Sequence, residues 1–202
     1  DARALRLAEL GLYLTALELD PDPRPLAELK FDALQGKVLY SMPLSSQGSL
    51  GPMEERFRGR FDVVLGNPPW SAVTDNRSSK RSWVDDSREI VSERLGAERA
   101  ASFDLPDANP DMAFLWRAMV WARPGGRIAL VMHARWLFSL SQAGQRARQD
   151  IFQALRVTGV LNGAALRKTH VWPGITATWC MVFAENSKPS GAAREAFHFI
   201  SP

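Results

Sequence analysis

The chain has 202 residues, of which 46% are hydrophobic and 23% charged, values that suit one soluble globular domain with a substantial core. With one cysteine and no signal peptide, a reducing cytoplasmic setting fits best. A lone cysteine, Cys180, and three scattered histidines exclude a disulfide framework and predict no metal site, and no apolar run is long enough to cross a bilayer. The net charge of +3 does not by itself indicate a nucleic-acid-binding protein.

The first third of the chain predicts a helix, a short strand and a buried strand. Leucines and alanines over residues 2–19 recur at a helical spacing, and the prolines that follow end the helix. A strand is expected over 37–40 and a loop over 41–55. Residues 61–66, Phe-Asp-Val-Val-Leu-Gly, are typical of a buried parallel strand whose carboxyl end opens into a loop.

The rest of the chain alternates between helices and strands after a polar stretch. Residues 71–106 predict a mobile insertion with a helix over 86–101, because they lack an obvious packing face. Residues 185–202 are expected to form a linker or a hairpin. The remaining predicted elements are helices over 112–121 and 142–155, a turn over 123–127, and strands over 128–132, 157–161 and 177–183.

This alternation predicts an α/β fold with a doubly wound, mainly parallel sheet, in which residues 63–65 and 128–131 form interior strands. We expect the whole chain, 1–202, to form one partial domain. In such sheets ligands bind beyond the carboxyl ends of the strands.

The residues that follow the first buried strand are Asn67, Pro68, Pro69 and Trp70. Residues before proline are held extended, and proline has no N–H, so the loop is stiff and presents the Asn67 amide oxygen and the Pro68 carbonyl as acceptors. Two acceptors on the protons of an aromatic amino group would free its lone pair for attack on a methyl sulfonium. Trp70 would hold the ring by stacking. The alternative is a rigid surface turn.

The run from Phe61 to Trp70 resembles the motif (Asn/Asp/Ser)-Pro-Pro-(Tyr/Phe/Trp) of amino-methyltransferases. It is most similar to the N6-adenine DNA methyltransferases of restriction-modification and phage-defence systems. Further stretches resemble the same family: Asp1-Ala-Arg-Ala-Leu-Arg-Leu-Ala, Asp111-Met-Ala-Phe-Leu-Trp, Arg123-Pro-Gly-Gly-Arg-Ile-Ala-Leu-Val, His133-Ala-Arg-Trp-Leu and Val171-Trp-Pro-Gly-Ile-Thr-Ala-Thr.

The resemblance implies a Rossmann-like methyltransferase fold, S-adenosylmethionine as cofactor and double-stranded DNA as substrate. The reaction it implies is methyl transfer to N6 of an adenine flipped out of the duplex. By the same resemblance the catalytic residues are those from Asn67 to Trp70. Trp172 would face the flipped base from the side opposite Trp70; the alternative is a tryptophan that covers the edge of the core.

The resemblance also implies cofactor contacts from Asp1, Lys37, Asn67 and Asp111. Lys37 departs from the family pattern, which usually has Asp or Asn there, and Asp111 could equally cap a helix. The glycine-rich cofactor loop would lie upstream of Asp1, so we expect the fold to be truncated on that side and the isolated chain to be inactive. A target-recognition domain and a nuclease, separate or fused, would be partners.

Other interpretations remain open at this point. Protein glutamine methylation and cytosine N4 methylation use the same chemistry, and a non-catalytic remnant would bind DNA or a partner subunit. The long polar stretch after Trp70 favours a large substrate. The arginine-rich residues 135–168 form either a phosphate-contacting face or a solvated helix face. His133 is more often structural than catalytic in such a position, and Cys180 is expected to be a buried, inert thiol.

Overall fold

The computed structural model describes residues 2–22, 24–40, 50–51, 55–70, 77–106, 110–191 and 197–202. The chain divides into two compact units, Asp1–Pro43 and Leu44–Pro202. Across these described ranges, no helix is both long enough and apolar enough to cross a membrane.

The first unit contains the predicted N-terminal helix, α1 (Ala2–Leu19). Its Glu9 carboxylate accepts the backbone N–H of Leu34 at 2.9 Å, and the Tyr13 hydroxyl donates to the carbonyl of Asp32 at 2.6 Å. The Tyr13 ring also contacts Phe31, with ring centroids 4.5 Å apart. These contacts hold the segment after the proline-rich turn against the helix.

The strand predicted over residues 37–40 is wrong. The backbone N–H groups of Lys37, Val38 and Leu39 all point at the carbonyl of Leu34, at 3.1, 2.8 and 2.9 Å. Gly36 permits this tight turn because it adopts a φ of +77°. The turn thus uses the donors that a strand ladder would need.

The second unit is built on one sheet of five strands: β1 (Phe61–Gly66), β2 (Ala122–His133), β3 (Arg156–Asn162), β4 (Trp179–Glu185) and β5 (His198–Ile200). Their order in the sheet is β1-β2-β4-β3-β5. β4 runs antiparallel to both of its neighbours, whereas the β1–β2 and β3–β5 pairs are parallel. Four strands therefore point the same way, which confirms a mainly parallel sheet.

Five helices accompany this sheet in the described part of the second unit: α2 (Arg77–Leu95), α3 (Ala97–Ala101), α4 (Pro110–Trp121), α5 (Arg135–Phe138) and α6 (Gln142–Ala154). Helices α2, α4 and α6 contact one another or the sheet, with α4 packed on β1 and β2, α6 on β3, and α2 on both α4 and α6. The alternate residues Ile128, Leu130 and Met132 of β2 are buried against them.

The expectation that residues 71–106 lack a packing face is wrong for residues 77–106. α2 spans 19 residues and buries Trp83, Val84, Ile90 and Val91, all of which belong to the main core. These two adjacent pairs lie about two helical turns apart and form a narrow apolar stripe among many charged residues. The predicted helix over 86–101 is in fact two helices that meet at Gly96. Residues 71–76 lie outside the described ranges.

The prediction that residues 63–65 form an interior strand is also wrong. β1 is an edge strand of the sheet, and Val63 and Leu65 are 52% and 72% exposed. An apolar run indicates that a strand packs against other parts of the fold. It does not show whether the described chain provides a neighbouring strand on both of its sides. The turn predicted over 123–127 lies within β2, and β5 was not predicted.

Candidate functional site

The Asn-Pro-Pro-Trp loop lies at the carboxyl end of β1, as the sequence predicts. The last residue of β1, Gly66, pairs with Leu130 of β2, so Asn67 is the first residue beyond the ladder. Asn67 is exposed, whereas Pro68 is buried against the end of the sheet. The loop therefore has a fixed base and a polar side chain open to a ligand.

Trp70 is fixed by a hydrogen bond to the neighbouring strand. Its indole Nε1–H donates to the carbonyl of Val131, near the end of β2, at 3.0 Å. The two prolines restrict the backbone before Trp70, and this bond restricts the ring itself. The half-buried indole is thereby held beside the strand end.

Two rings contact Trp70 edge to face, and a third ring contacts one of these two. The Trp70 centroid lies 6.5 Å from that of His133, at 86°, and 5.5 Å from that of Trp172, at 71°. Trp172 in turn contacts Trp179 of β4, at 5.7 Å and 63°. A base between two parallel rings needs about 7 Å between the ring planes, because each stacked pair is about 3.5 Å apart. The structure thus brings Trp70 and Trp172 together, but without room for a base between them.

His133 is held in one orientation and one tautomer. Its Nδ1 accepts the backbone N–H of Arg135 at 3.0 Å, so in the neutral ring the proton is on Nε2. Burial, and secondarily the charge of Arg135, lower the pKa of His133 below its ordinary value. The ring is therefore a neutral aromatic neighbour of Trp70 at neutral pH.

Asp111 joins the start of α4 to the end of β2. Its side chain is 1% exposed, and its two oxygens accept the backbone N–H groups of Met112 at 2.9 Å and His133 at 3.0 Å. Burial raises the pKa of Asp111 to about 6. Asp111 thus links α4 to the end of β2 through two backbone N–H groups, at the edge of the sheet that carries the Asn67 loop. Its role as a cofactor contact stays a prediction.

A cavity of about 290 Å³ opens beside the loop, between β1 and α4. Asn67 contributes the polar side chain of its lining, and no lining residue is charged. The other residues are apolar or small: Val64, Leu65, Gly66, Pro68, Pro69, Phe114, Ala118, Trp121 and Leu130.

These walls suit the apolar part of a ligand next to Asn67, but they offer no partner for a charged amino-acid group. They fit S-adenosylmethionine only in part, since its methionine end carries a carboxylate and an ammonium. Of the other predicted cofactor residues, Asp1 lies outside the described ranges and Lys37 belongs to the first unit, where the Tyr40 hydroxyl donates to its carbonyl. Among the residues that the structure describes, no cluster of side chains could hold a metal ion.

Cys180 is a buried thiol, as predicted. Its Sγ accepts the indole N–H of Trp136 at 3.3 Å, and burial raises its pKa to about 12. Such a thiol stays protonated and does not act as a nucleophile at neutral pH.

Sequence reasoning did not identify two contributors to the aromatic site. One is the Val131 carbonyl, a backbone group that no side-chain pattern marks. The other is Trp179, which was assigned only to a strand. In the structure Trp179 packs so closely on Gly163 that a Cβ there would overlap the ring, a contact that no local sequence pattern marks.

Comparison with known proteins gives one family match and several distant structural similarities. A family model described as Eco57I restriction-modification methylase matches residues 1–162. A search of curated protein sequences finds no match.

Among solved structures, the chain is similar to a type I restriction-modification methyltransferase subunit from Streptococcus thermophilus, with 20% identity and a TM-score of 0.48 over 74% of this chain and 27% of that one. It is also similar to the EcoKI M protein of a type I restriction enzyme, with 19% identity and a TM-score of 0.45 over 74% and 24%. A modification subunit of a putative type I restriction enzyme from Vibrio vulnificus gives 18% and 0.45 over 77% and 30%. The chain thus spans less than a third of the length of these structures.

Proposed function

Because the chain belongs to the Eco57I restriction-modification methylase family, we propose that it transfers a methyl group from S-adenosylmethionine to N6 of an adenine flipped out of double-stranded DNA. The observation that carries the proposal is the loop from Asn67 to Trp70. It stands at the carboxyl end of β1, with an exposed amide at one end and an aromatic ring anchored to β2 at the other.

In the proposed mechanism, Asn67 and Pro68 act on the amino group of the base. The Asn67 amide oxygen and the Pro68 carbonyl accept its two N–H groups, which favours a pyramidal nitrogen whose lone pair is free to attack. These acceptors stabilise the positive charge that develops on nitrogen as the new N–C bond forms. The extra proton then leaves to solvent, since the methylated ammonium is acidic and needs no strong base.

Trp70 holds the base by stacking, which offsets part of the cost of extracting it from the duplex. Its bond to Val131 keeps the ring in place before the base arrives. When bound, S-adenosylmethionine supplies the methyl group on a sulfonium. The cavity beside Asn67 would hold the apolar part of that cofactor, with Phe114 and Leu130 in its walls.

DNA and a target-recognition domain are the proposed partners. Base-specific readout requires contacts in the grooves, whereas the loop from Asn67 to Trp70 addresses only the extracted base. Target choice therefore belongs to a domain that reads the duplex, fused or separate, with a nuclease as a further proposed partner.

The test is Asn67→Ala in the full-length protein. Loss of one preorganised acceptor is expected to lower the rate of methyl transfer on the order of 10²–10³-fold. DNA affinity should stay close to that of the wild type, since it comes mainly from phosphate contacts. Labelled methyl incorporation into duplex DNA gives the rate, and digestion to nucleosides separates N6-methyladenine from N4-methylcytosine.

Gln153→Ala is the matched control, because it removes an exposed amide from α6, far along the chain from the loop. Trp70→Ala should weaken capture of the base by roughly 1–3 kcal/mol, and Trp70→Phe should recover most of that loss. Wild-type turnover of Asn67→Ala would contradict the proposal, and a non-catalytic binding protein would then be the better interpretation.

A further inference from the structure

Residues 164–178, here called the flap, connect the end of β3 to the start of β4. None of its residues is buried. The backbone hydrogen bonds within it span three residues each: Thr169 to Leu166, Trp172 to Thr169 and Ile175 to Trp172, at 3.2–3.4 Å. Between its two ends the segment has only local backbone hydrogen bonds and no buried side chain, so its movement would break the contact of Trp172 with Trp179 but no ladder of the sheet.

The two ends of the flap are firmly attached to the sheet. The N–H of Gly163 donates to the carbonyl of Trp179 at 2.9 Å, and the N–H of Ala134 donates to the carbonyl of Thr178 at 3.0 Å. Both anchors lie at the edge of the sheet where β2 ends and β4 begins. The flap is therefore hinged at the edge that carries Trp70.

Between these anchors, the flap places Trp172 against Trp70. The 5.5 Å centroid separation and 71° angle leave no parallel gap for another ring. In this arrangement Trp172 occupies space that a base stacked on Trp70 and facing Trp172 would need. Base binding between the two rings thus requires the flap to move.

The flap also carries positive charge without any acidic residue. From Met112 to Ala184 the sequence has nine arginine and lysine residues and one acid, Asp150, which pairs with Arg99. Arg167, Lys168 and His170 are exposed on the flap, and the backbone of Arg167 forms a bridge with Trp172.

Arg135, outside the flap, adds a further basic residue close to the aromatic site. Arg135 is exposed, and its N–H is bonded to the His133 ring that contacts Trp70. Within the described ranges, Arg135, Arg167 and Lys168 make no ion pair. Basic residues are thus linked through their backbone to both residues whose rings neighbour Trp70, and their exposed side chains suit contacts with DNA phosphates near the aromatic site.

We propose that the flap keeps the stacking face of Trp70 closed with Trp172 until duplex DNA binds, and that phosphate contacts to Arg167 and Lys168 draw it open. The proposal rests on the proposed function, because it assumes that the extracted base enters beside Trp70. Opening exchanges the Trp172–Trp70 contact for stacking by the base, and phosphate binding releases counterions from the DNA. The free protein thereby avoids leaving a large apolar ring uncovered.

Fluorine NMR of the full-length protein labelled with 5-fluorotryptophan tests this movement, with a mixed-sequence DNA duplex as the probe. Trp172→Phe assigns the Trp172 signal. On titration with duplex that signal should shift, whereas the signals of the core residues Trp83 and Trp116, both fully buried, should not. Asn67→Ala should show the same shift, because opening precedes chemistry.

Salt-dependent duplex binding tests the charges. The double variant Arg167→Ala/Lys168→Ala should reduce the slope of log K against log salt by about 0.9 for each phosphate that the protein no longer neutralises. It should also require more duplex to shift the Trp172 signal. The charge-preserving variant Arg167→Lys/Lys168→Arg should restore both. Lys188→Ala is the matched control, since this exposed lysine lies beyond β4 at the opposite end of the sheet.

A Trp172 signal that stays at its free position under saturating duplex would overturn the flap proposal, and so would an unchanged salt slope in the double variant. Failure of the proposed function looks different. Duplex would then shift the Trp172 signal and yet receive no methyl group from the wild-type protein. Conversely, methyl transfer without movement of Trp172 would refute the flap alone.

Discussion

Replacing Asp111 by asparagine is expected to change how stability depends on pH. The carboxylate is 1% exposed, and burial raises its pKa from 3.8 to about 6 despite two backbone N–H donors. That difference corresponds to about 3 kcal/mol between the two protonation states. Between these two pKa values the folded protein binds more protons than the unfolded chain. The stabilising contribution is therefore fully present below the unfolded pKa and lost as the pH rises through about 6.

The measurement is urea unfolding of wild type and Asp111→Asn from about pH 4 to about pH 8. The free energy of unfolding of the wild type minus that of the variant should fall by roughly 2–3 kcal/mol over this range. Contributions from other groups cancel in this difference. Asp62→Asn provides a control that stays nearly flat over this range, because the hydrogen bond from Arg123 lowers the pKa of Asp62 below its ordinary value of 3.8, so that its contribution changes only at more acidic pH. Parallel wild-type and Asp111→Asn curves would refute the reasoning.

Two further predictions concern the flap anchor and the cofactor. Gly163→Ala should destabilise the protein by about 1–3 kcal/mol, since the added Cβ would overlap the Trp179 ring, whereas Gly174→Ala, with open space around it, should have little effect in the same unfolding assay. The 202-residue chain alone should bind S-adenosylmethionine weakly, because the cavity beside Asn67 has no charged lining residue. Calorimetry that gave micromolar affinity or better for this chain would contradict the second prediction.

Strongly periodic elements and the central motif could be predicted from sequence. Apolar residues at helical spacing located α1, α4 and α6, and short apolar runs located β3, β4 and the second half of β2. The position of Asn67 beyond a strand end followed from the two prolines after Gly66. Most of the geometry of this motif is set by neighbouring residues, because its strand, its turn and its aromatic residue are consecutive in the sequence.

The remaining features depend on contacts that local sequence does not specify. The sequence predicts only the second half of α2, because the core residues of this helix stand among arginines, serines and acids, and burial overrode low average hydrophobicity. The edge position of β1 and the parallel pairing of β5 with β3 depend on distant partners. The closed contact between Trp70 and Trp172 joins residues about a hundred positions apart, and no periodicity predicts its angle.

The position of β4 also has a consequence for how this protein is made. β4 is the fourth strand in the chain, yet it lies between β2 and β3 and pairs with residues 127–133 of β2 and residues 156–162 of β3. During synthesis β2 and β3 have no shared ladder until residues 179–185 emerge, so one edge of each stays unpaired for that interval. Such edges recruit other chains, and late, long-range pairing slows folding. The strand that joins β2 to β3 thus also shortens the period in which the nascent chain is most prone to aggregate.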